Sequence, residues 1–171
     1  MELQAAKYAS SLHKLLTKFK GVKKQGKELA ESICSRKTEN KSSDNSFDKK
    51  LNQKCANLLE LSESANSIGL TMIENSKKWK SLPKAFSLMS ESTDLISKSS
   101  CCEIANETES VAKQIIKQAS LWINLCGKIY HLEERDDLVY IVACWAHQPL
   151  VNENAFELLA AKSKYISAYS A

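Results

Sequence analysis

Met1, Ala5, Tyr8, Leu12, Leu15, Phe19, Val22, Gly26, Leu29 and Ile33 recur with alternating gaps of four and three. Sustained over more than four heptads, that spacing is the signature of an α-helix carrying one narrow apolar stripe. At 1.5 Å per residue the helix is roughly 50 Å long. So thin a stripe is stable only when it is covered along its whole length, either by the chain itself or by a companion. Gly21 and Gly26 each weaken the helix by about 1 kcal/mol relative to Ala, so a kink or a close helix crossing is expected near them.

A second stripe follows. Residues 36–46 (RKTENKSSDNS) offer nothing apolar to bury and read as a surface connection. Leu51, Leu58, Ala65, Met72 and Trp79 then fall seven apart, with Phe47, Leu61, Ile68 and Leu82 at companion positions, which predicts a helix from about Phe47 to Lys80. Pro83 biases Leu82 away from helical geometry, so a break or kink is expected at 82–84. Ala85, Phe86, Met89, Leu95 and Ile96 suggest a further helical piece, and after an interruption at Ser99-Ser100-Cys101-Cys102 the stripe Ile104, Thr108, Val111, Ile115, Trp122 and Ile129 predicts another helix. Ala112, Ala119 and Cys126 widen it. The run from Leu138 to Ala146 is the most apolar segment, but nine residues fall well short of the roughly 20 needed to span a membrane as a helix. It reads as a buried helix, with a core strand as the alternative. Pro149 ends it, with a break expected at 148–152. Asn154 and Glu157 have the spacing of a capping box before a last helix over Ala155–Tyr169.

With only 4 Gly and 2 Pro in 171 residues, the chain lacks the punctuation that a sandwich, barrel or doubly wound sheet requires. The fold expected is therefore all-α: a single-domain, elongated antiparallel helical bundle of about five helices, two of them long and N-terminal.

Charge is uneven along the chain. Residues 1–54 carry 13 basic and 6 acidic side chains, the remainder 11 and 14. Lys7, Lys14, Lys18, Lys20, Lys23, Lys24 and Lys27 surround the first stripe on its flanks and back, with Lys20, Lys24 and Lys27 grouped on the back. Such a collar attracts an acidic partner, and near an anionic leaflet each lysine is worth about 1 kcal/mol. The solvated face of a coiled coil has the same composition. Arginine occurs only at 36 and 135, and no reading motif is present, so nucleic acid is not expected as a partner.

No catalytic constellation is legible along the sequence. His13, His131 and His147 lie on separate segments, and His131 near Glu133, Glu134 and Asp137 reads first as a cluster flanking a helix. No glycine-rich phosphate loop occurs. Asp136-Asp137 and Glu133-Glu134 are sequence neighbours that diverge on a helix and read as helix-start charges. Trp79, Trp122 and Trp145 fall on or beside stripes, which favours core packing over base stacking. The six cysteines form no C-x-x-C pair, and Cys101-Cys102 has no histidine at zinc spacing, so neither metal nor cofactor is expected. No signal-like start follows Met1, which predicts reduced thiols and a cytoplasmic chain.

Three segments together carry a resemblance. LHKLLTKFKGVKKQGKELAESI has an aliphatic seam, a basic stretch and an E-L-A; FDKKLNQKCANLLELSESANSIG leads to SLPKAF; LEERDDLVYIVACWAHQ precedes AFELLAAKSKYI. This layout resembles BAR domains, the helical dimers that bind and bend membranes, including those at the C-terminal end of sorting nexins. The resemblance implies a non-enzymatic dimer with itself or a related helical chain, joined through the seam residues Leu12, Leu15, Phe19, Val22, Leu29, Ile33, Leu51, Leu58, Met72 and Trp79. It further implies lysine contacts to acidic phospholipid and a place at the periphery of membranes in trafficking. The chain is shorter than the usual BAR domain, and Pro149 interrupts the final helix. The alternative expectation is a soluble coiled-coil adaptor or subunit of a multiprotein complex.

Overall fold

The computed structural model describes residues 2–39, 45–86, 98–129, 131–132 and 134–168. They form α1 (Glu2–Glu39), α2 (Asn45–Phe86), α3 (Lys98–Ile129), α4 (Arg135–His147) and α5 (Glu153–Ala168), with no strand among the described residues. The all-α expectation holds, with one difference: three helices are long, at 38, 42 and 32 residues.

The helices overrun several expected boundaries. α1 continues through Glu39 and α2 begins at Asn45, so 36–39 and 45–46 of the surface connection expected over 36–46 are helical, while 40–44 lie outside the described residues. Losing the stripe removes a packing face but not the helix, because Arg, Lys and Glu are good helix formers. Arg36 and Lys37 also sit in the last turn, where the helix dipole favours cations. α2 carries Pro83 inside it and reaches Phe86. A proline there deprives only the Trp79 carbonyl of its helical partner, and Leu82 and Pro83 are both buried, so packing holds the last turn. The Ser-Ser-Cys-Cys stretch is the first turn of α3 rather than an interruption, and Cys101 is fully buried. Met89, Leu95, Ile96 and Tyr169 lie outside the described residues; Ala85 and Phe86 finish α2.

α4 is a helix as expected, opening on the extended Glu134 with Asp136 and Asp137 in its first turn. It is two-faced rather than wholly buried: Leu138, Ile141, Cys144 and Trp145 point inward while Val139 and Tyr140 remain more than half exposed. It stops at Gln148, whose φ of 47° is left-handed, and Pro149 prevents continuation. The break expected at 148–152 is present. The cap of α5 falls two residues before the expected one. Asn152 Oδ1 accepts the Ala155 N–H at 3.0 Å, its carbonyl accepts the Phe156 N–H at 3.0 Å, and its own N–H donates to Gln114 Oε1 at 2.8 Å.

The chain divides into two compact units, each drawing on α1, α2 and α3 and adding one short helix of its own. The first comprises residues 1–18, 68–115 and 151–171, with α5 as its short helix. Its core brings Ala5 and Ala9 of α1, Trp79 and Leu82 of α2, and Cys101, Ile104 and Ala105 of α3 together, with Tyr8 and Ile166 packed against them. The small alanines leave room for the indole, and the Tyr8 ring meets Trp79 edge-on at 6.2 Å. α5 runs antiparallel to α3: Asn152 meets Gln114, while Lys162 bridges Glu103 and Glu107 at 2.9 and 2.7 Å.

The second unit comprises residues 19–67 and 116–150, with α4 as its short helix. Phe19 stacks on Trp122 at 6.0 Å, and Trp122 stacks on Trp145 at 3.9 Å with planes only 3° apart. Trp122 Nε1 donates to the Cys144 carbonyl at 3.1 Å. α4 runs antiparallel to α1, with Gly26 beneath Trp145, Cys34 Sγ donating to the Leu138 carbonyl at 3.4 Å and Lys37 Nζ to that of Leu132 at 2.7 Å. Lys54 of α2 reaches Ser32 of α1, and Ser62 of α2 faces Cys126 of α3 at 3.5 Å.

Candidate acidic-surface contact on the first helix

Covering the stripe of α1 decides where its lysines go. Ala5, Ala9, Leu12, Leu16, Phe19, Val22, Gly26, Ala30 and Ile33 are buried, a spacing that averages close to 3.5 residues and turns the intervening positions outward. Lys7, Lys14 and Lys18 in the first unit are exposed, as are Lys20, Lys24 and Lys27 in the second; Lys23, beside the stripe, is half-buried. From Leu3 to Lys27 no Asp or Glu occurs. Lys27 pairs with Glu31 at 3.7 Å on the surface, and such a contact contributes little. Lys20 and Lys23 also have interactions within the chain. Lys7, Lys14, Lys18 and Lys24 make no ion pair among the described residues.

Some lysines elsewhere are committed to carboxylates. Lys80 and Lys113 both donate to Glu109, and these hydrogen bonds hold its carboxyl down to about 2. Lys162 donates to Glu107 and Glu103, which raises the Lys162 ammonium and, on the other side, lowers Glu103. Lys7, Lys14, Lys18 and Lys24 thus present ammonium groups outside any ion pair among the described residues, suited to phosphate or carboxylate groups brought by a partner.

Of the seam positions, Leu12, Phe19, Val22, Ile33, Leu51, Leu58, Met72 and Trp79 are buried. Leu15 and Leu29 are only half-buried, because Leu16 and Ala30, one residue further on, take the inward places. Leu61, expected as a companion on α2, is half-buried as well. The buried positions are covered by this chain's own helices, so the seam itself demands no second chain. Sequence reasoning missed the covering roles of α4 and α5, and the contact of Gly26 with Trp145. A glycine on a stripe position was the available signal for the latter.

The remaining chemistry is sparse. Burial pushes the Cys34 and Cys126 thiols up to about 11 and raises Cys55 and Cys101, so these thiols stay protonated at neutral pH. His131, Glu134 and Asp137 are exposed; Glu133 lies outside the described residues. Trp79, Trp122 and Trp145 are fully buried and offer no stacking platform. Among the described residues no group of three or more His, Cys, Asp or Glu is placed to hold a metal ion, and no helix is long and apolar enough to cross a membrane. Compared with protein-family models and with curated proteins, the chain matches none.

Proposed function

We propose that this chain is a non-enzymatic, BAR-like helical module of membrane trafficking that binds acidic phospholipid surfaces at the cytoplasmic face through the lysines of α1. The observation that carries the reading is the acid-free stretch of α1 from Leu3 to Lys27, where exposed lysines stand clear of a buried stripe. Each ammonium contributes about 1 kcal/mol near an anionic leaflet, so several together give reversible binding that weakens with salt. Such a module works as a dimer with itself or a related helical chain, and with the buried stripes already covered the second chain meets it on other surfaces.

Vesicle co-sedimentation tests this. Vesicles containing phosphatidylserine should retain the protein at low salt and release it as salt rises, while neutral vesicles should not retain it. Replacing Lys7, Lys14, Lys18 and Lys24 with Gln should weaken retention at least tenfold with unchanged helical content. Equal binding to both vesicle types, or to neither, would end the proposal.

A second reading, a soluble helical adaptor, is favoured by exposed apolar side chains on the short helices. Leu158 and Tyr165 lie seven apart on the outer face of α5, and Val139 and Tyr140 on that of α4. On that reading the lysines keep the chain soluble, and a stoichiometric helical partner accompanies it.

A further inference from the structure

Where α1 and α2 pass each other in the second unit, basic side chains gather around one hydroxyl. Lys54 Nζ of α2 donates to Ser32 Oγ of α1. Arg36 follows Ser32 by one turn on the same face of α1, beside the point where Lys54 arrives. α2 runs antiparallel to α1 here, with Lys54 opposite Ser32 and residues 57–61 opposite 25–32, so Lys50, one turn before Lys54, comes level with Arg36. Ser32, Arg36 and Lys54 are half-buried, and Lys50 is exposed. No Asp or Glu among the described residues pairs with Arg36, Lys50 or Lys54, and the partner that Lys54 does have is neutral. Burial and, after it, the Arg36 charge lower the Lys54 ammonium from its ordinary value. Like charges are thus held together at a helix junction with no carboxylate from those residues to balance them, and their repulsion is relieved by an anion placed between them.

We infer that Ser32, Arg36 and Lys54, with Lys50 at the rim, form a binding site for a single phosphate monoester group. The donor set suits a tetrahedral oxyanion. The planar Arg36 fork takes two oxygens of one group and the Lys54 ammonium adds a point charge. Ser32 Oγ accepts from Lys54, which leaves its own proton to donate to the anion. The surroundings limit the size of the ligand. Glu28, with Lys24 one turn away, lies about 12 Å along α1 from Arg36, and Glu60 about 9 Å along α2 from Lys54. Beyond a Debye length of about 8 Å those carboxylates do not cancel a contact made at the cluster, but they repel a long polyanion laid along the helices. A compact group is selected over a nucleic-acid strand. A soluble ester and the headgroup of a phosphorylated inositol lipid present this same chemistry. The site is independent of the lipid-binding proposal, since it uses none of Lys7, Lys14, Lys18 and Lys24 and accepts an ester in free solution.

The test titrates the full chain with glycerol phosphate, using acetate and the diester dimethyl phosphate as controls. Calorimetry should show 1:1 binding of the monoester, roughly tenfold tighter than either control, with amide resonance shifts centred on residues 32–36 and 50–54. Arg36→Gln and Lys54→Gln should each weaken binding about fivefold or more. Arg36→Lys, which keeps the charge and loses the fork, should weaken it less than Arg36→Gln, and Lys7→Gln with Lys14→Gln should leave it unchanged; circular dichroism would verify that each variant is folded. Vesicles carrying a phosphatidylinositol monophosphate, compared with phosphatidylserine vesicles of equal charge, separate the two sources. A preference for the former that glycerol phosphate competes away and Arg36→Gln abolishes assigns the site to a lipid headgroup, and monoester binding without that preference assigns it to a soluble ester. Equal binding of monoester and acetate, resonance shifts elsewhere, or affinity indifferent to Arg36→Gln and Lys54→Gln overturns the inference. So does capture of a phosphoserine peptide by a chain that does not bind glycerol phosphate.

Discussion

A Cβ built on Gly26 would lie 2.0 Å from Cζ3 of Trp145, and that indole is pinned on its other side by Trp122 at 3.9 Å. The ring has nowhere to retreat, so the glycine sets how closely α1 approaches α4. Gly26→Ala should therefore destabilise the protein by about 3 kcal/mol, at the upper end of the usual overpacking range. Gly21 is the matched control: nothing lies within 4 Å of its built Cβ, and Gly21→Ala should stabilise the helix by up to about 1 kcal/mol. Urea unfolding midpoints of the two variants check both signs. Half of this was legible in the sequence. Gly26 occupies a stripe position and Trp145 lies in an apolar run, but which stripe position meets which aromatic ring depends on a crossing between helices far apart in the chain, and periodicity carries no such information. The same limit applies at Leu15 and Leu29. A strict four–three count places them inside, whereas the stripe also accommodates Leu16 and Ala30, and only the neighbouring helices decide between adjacent residues.

The elements themselves were readable where the apolar repeat was strong, as in Leu51, Leu58, Ala65, Met72 and Trp79, all of them buried. Their ends were less so. Polarity at 36–39 and the Ser-Ser-Cys-Cys stretch resembled interruptions because they lack a stripe, yet helices tolerate both. Pro83 resembled a stop, yet so near the end of α2 it costs one carbonyl its partner. At α5 two asparagines compete for the cap, and tertiary structure chooses: Gln114 on α3 accepts the N–H of Asn152, fixing that residue where its side chain reaches Ala155. Asn152→Ala should consequently cost about 1 kcal/mol, while Asn154→Ala should be close to neutral. Thermal melts of the two variants separate the cap observed from the one that N-x-x-E spacing predicts.

At the scale of the whole chain, the α1 lysines were identifiable from sequence as a basic collar, but what makes them available was not. Availability depends on where the acids of other helices fall, and three of them, Glu103, Glu107 and Glu109 of α3, are spent on Lys80, Lys113 and Lys162. The long stripes pose the larger question, since each requires cover. α5 in one unit and α4 in the other supply a fourth helical segment, and the largest buried side chains, among them Trp79, Trp122 and Trp145, are enclosed without a second chain. A protein whose seams are closed by its own helices needs no association to fold. The most direct measurement is urea unfolding, followed by circular dichroism, over a hundredfold range of protein concentration. Seams closed within one chain predict a midpoint that does not move with concentration, whereas a midpoint that climbs as the protein is concentrated would mean that folding and association are linked, and the intramolecular cover described for α1 and α2 would be wrong.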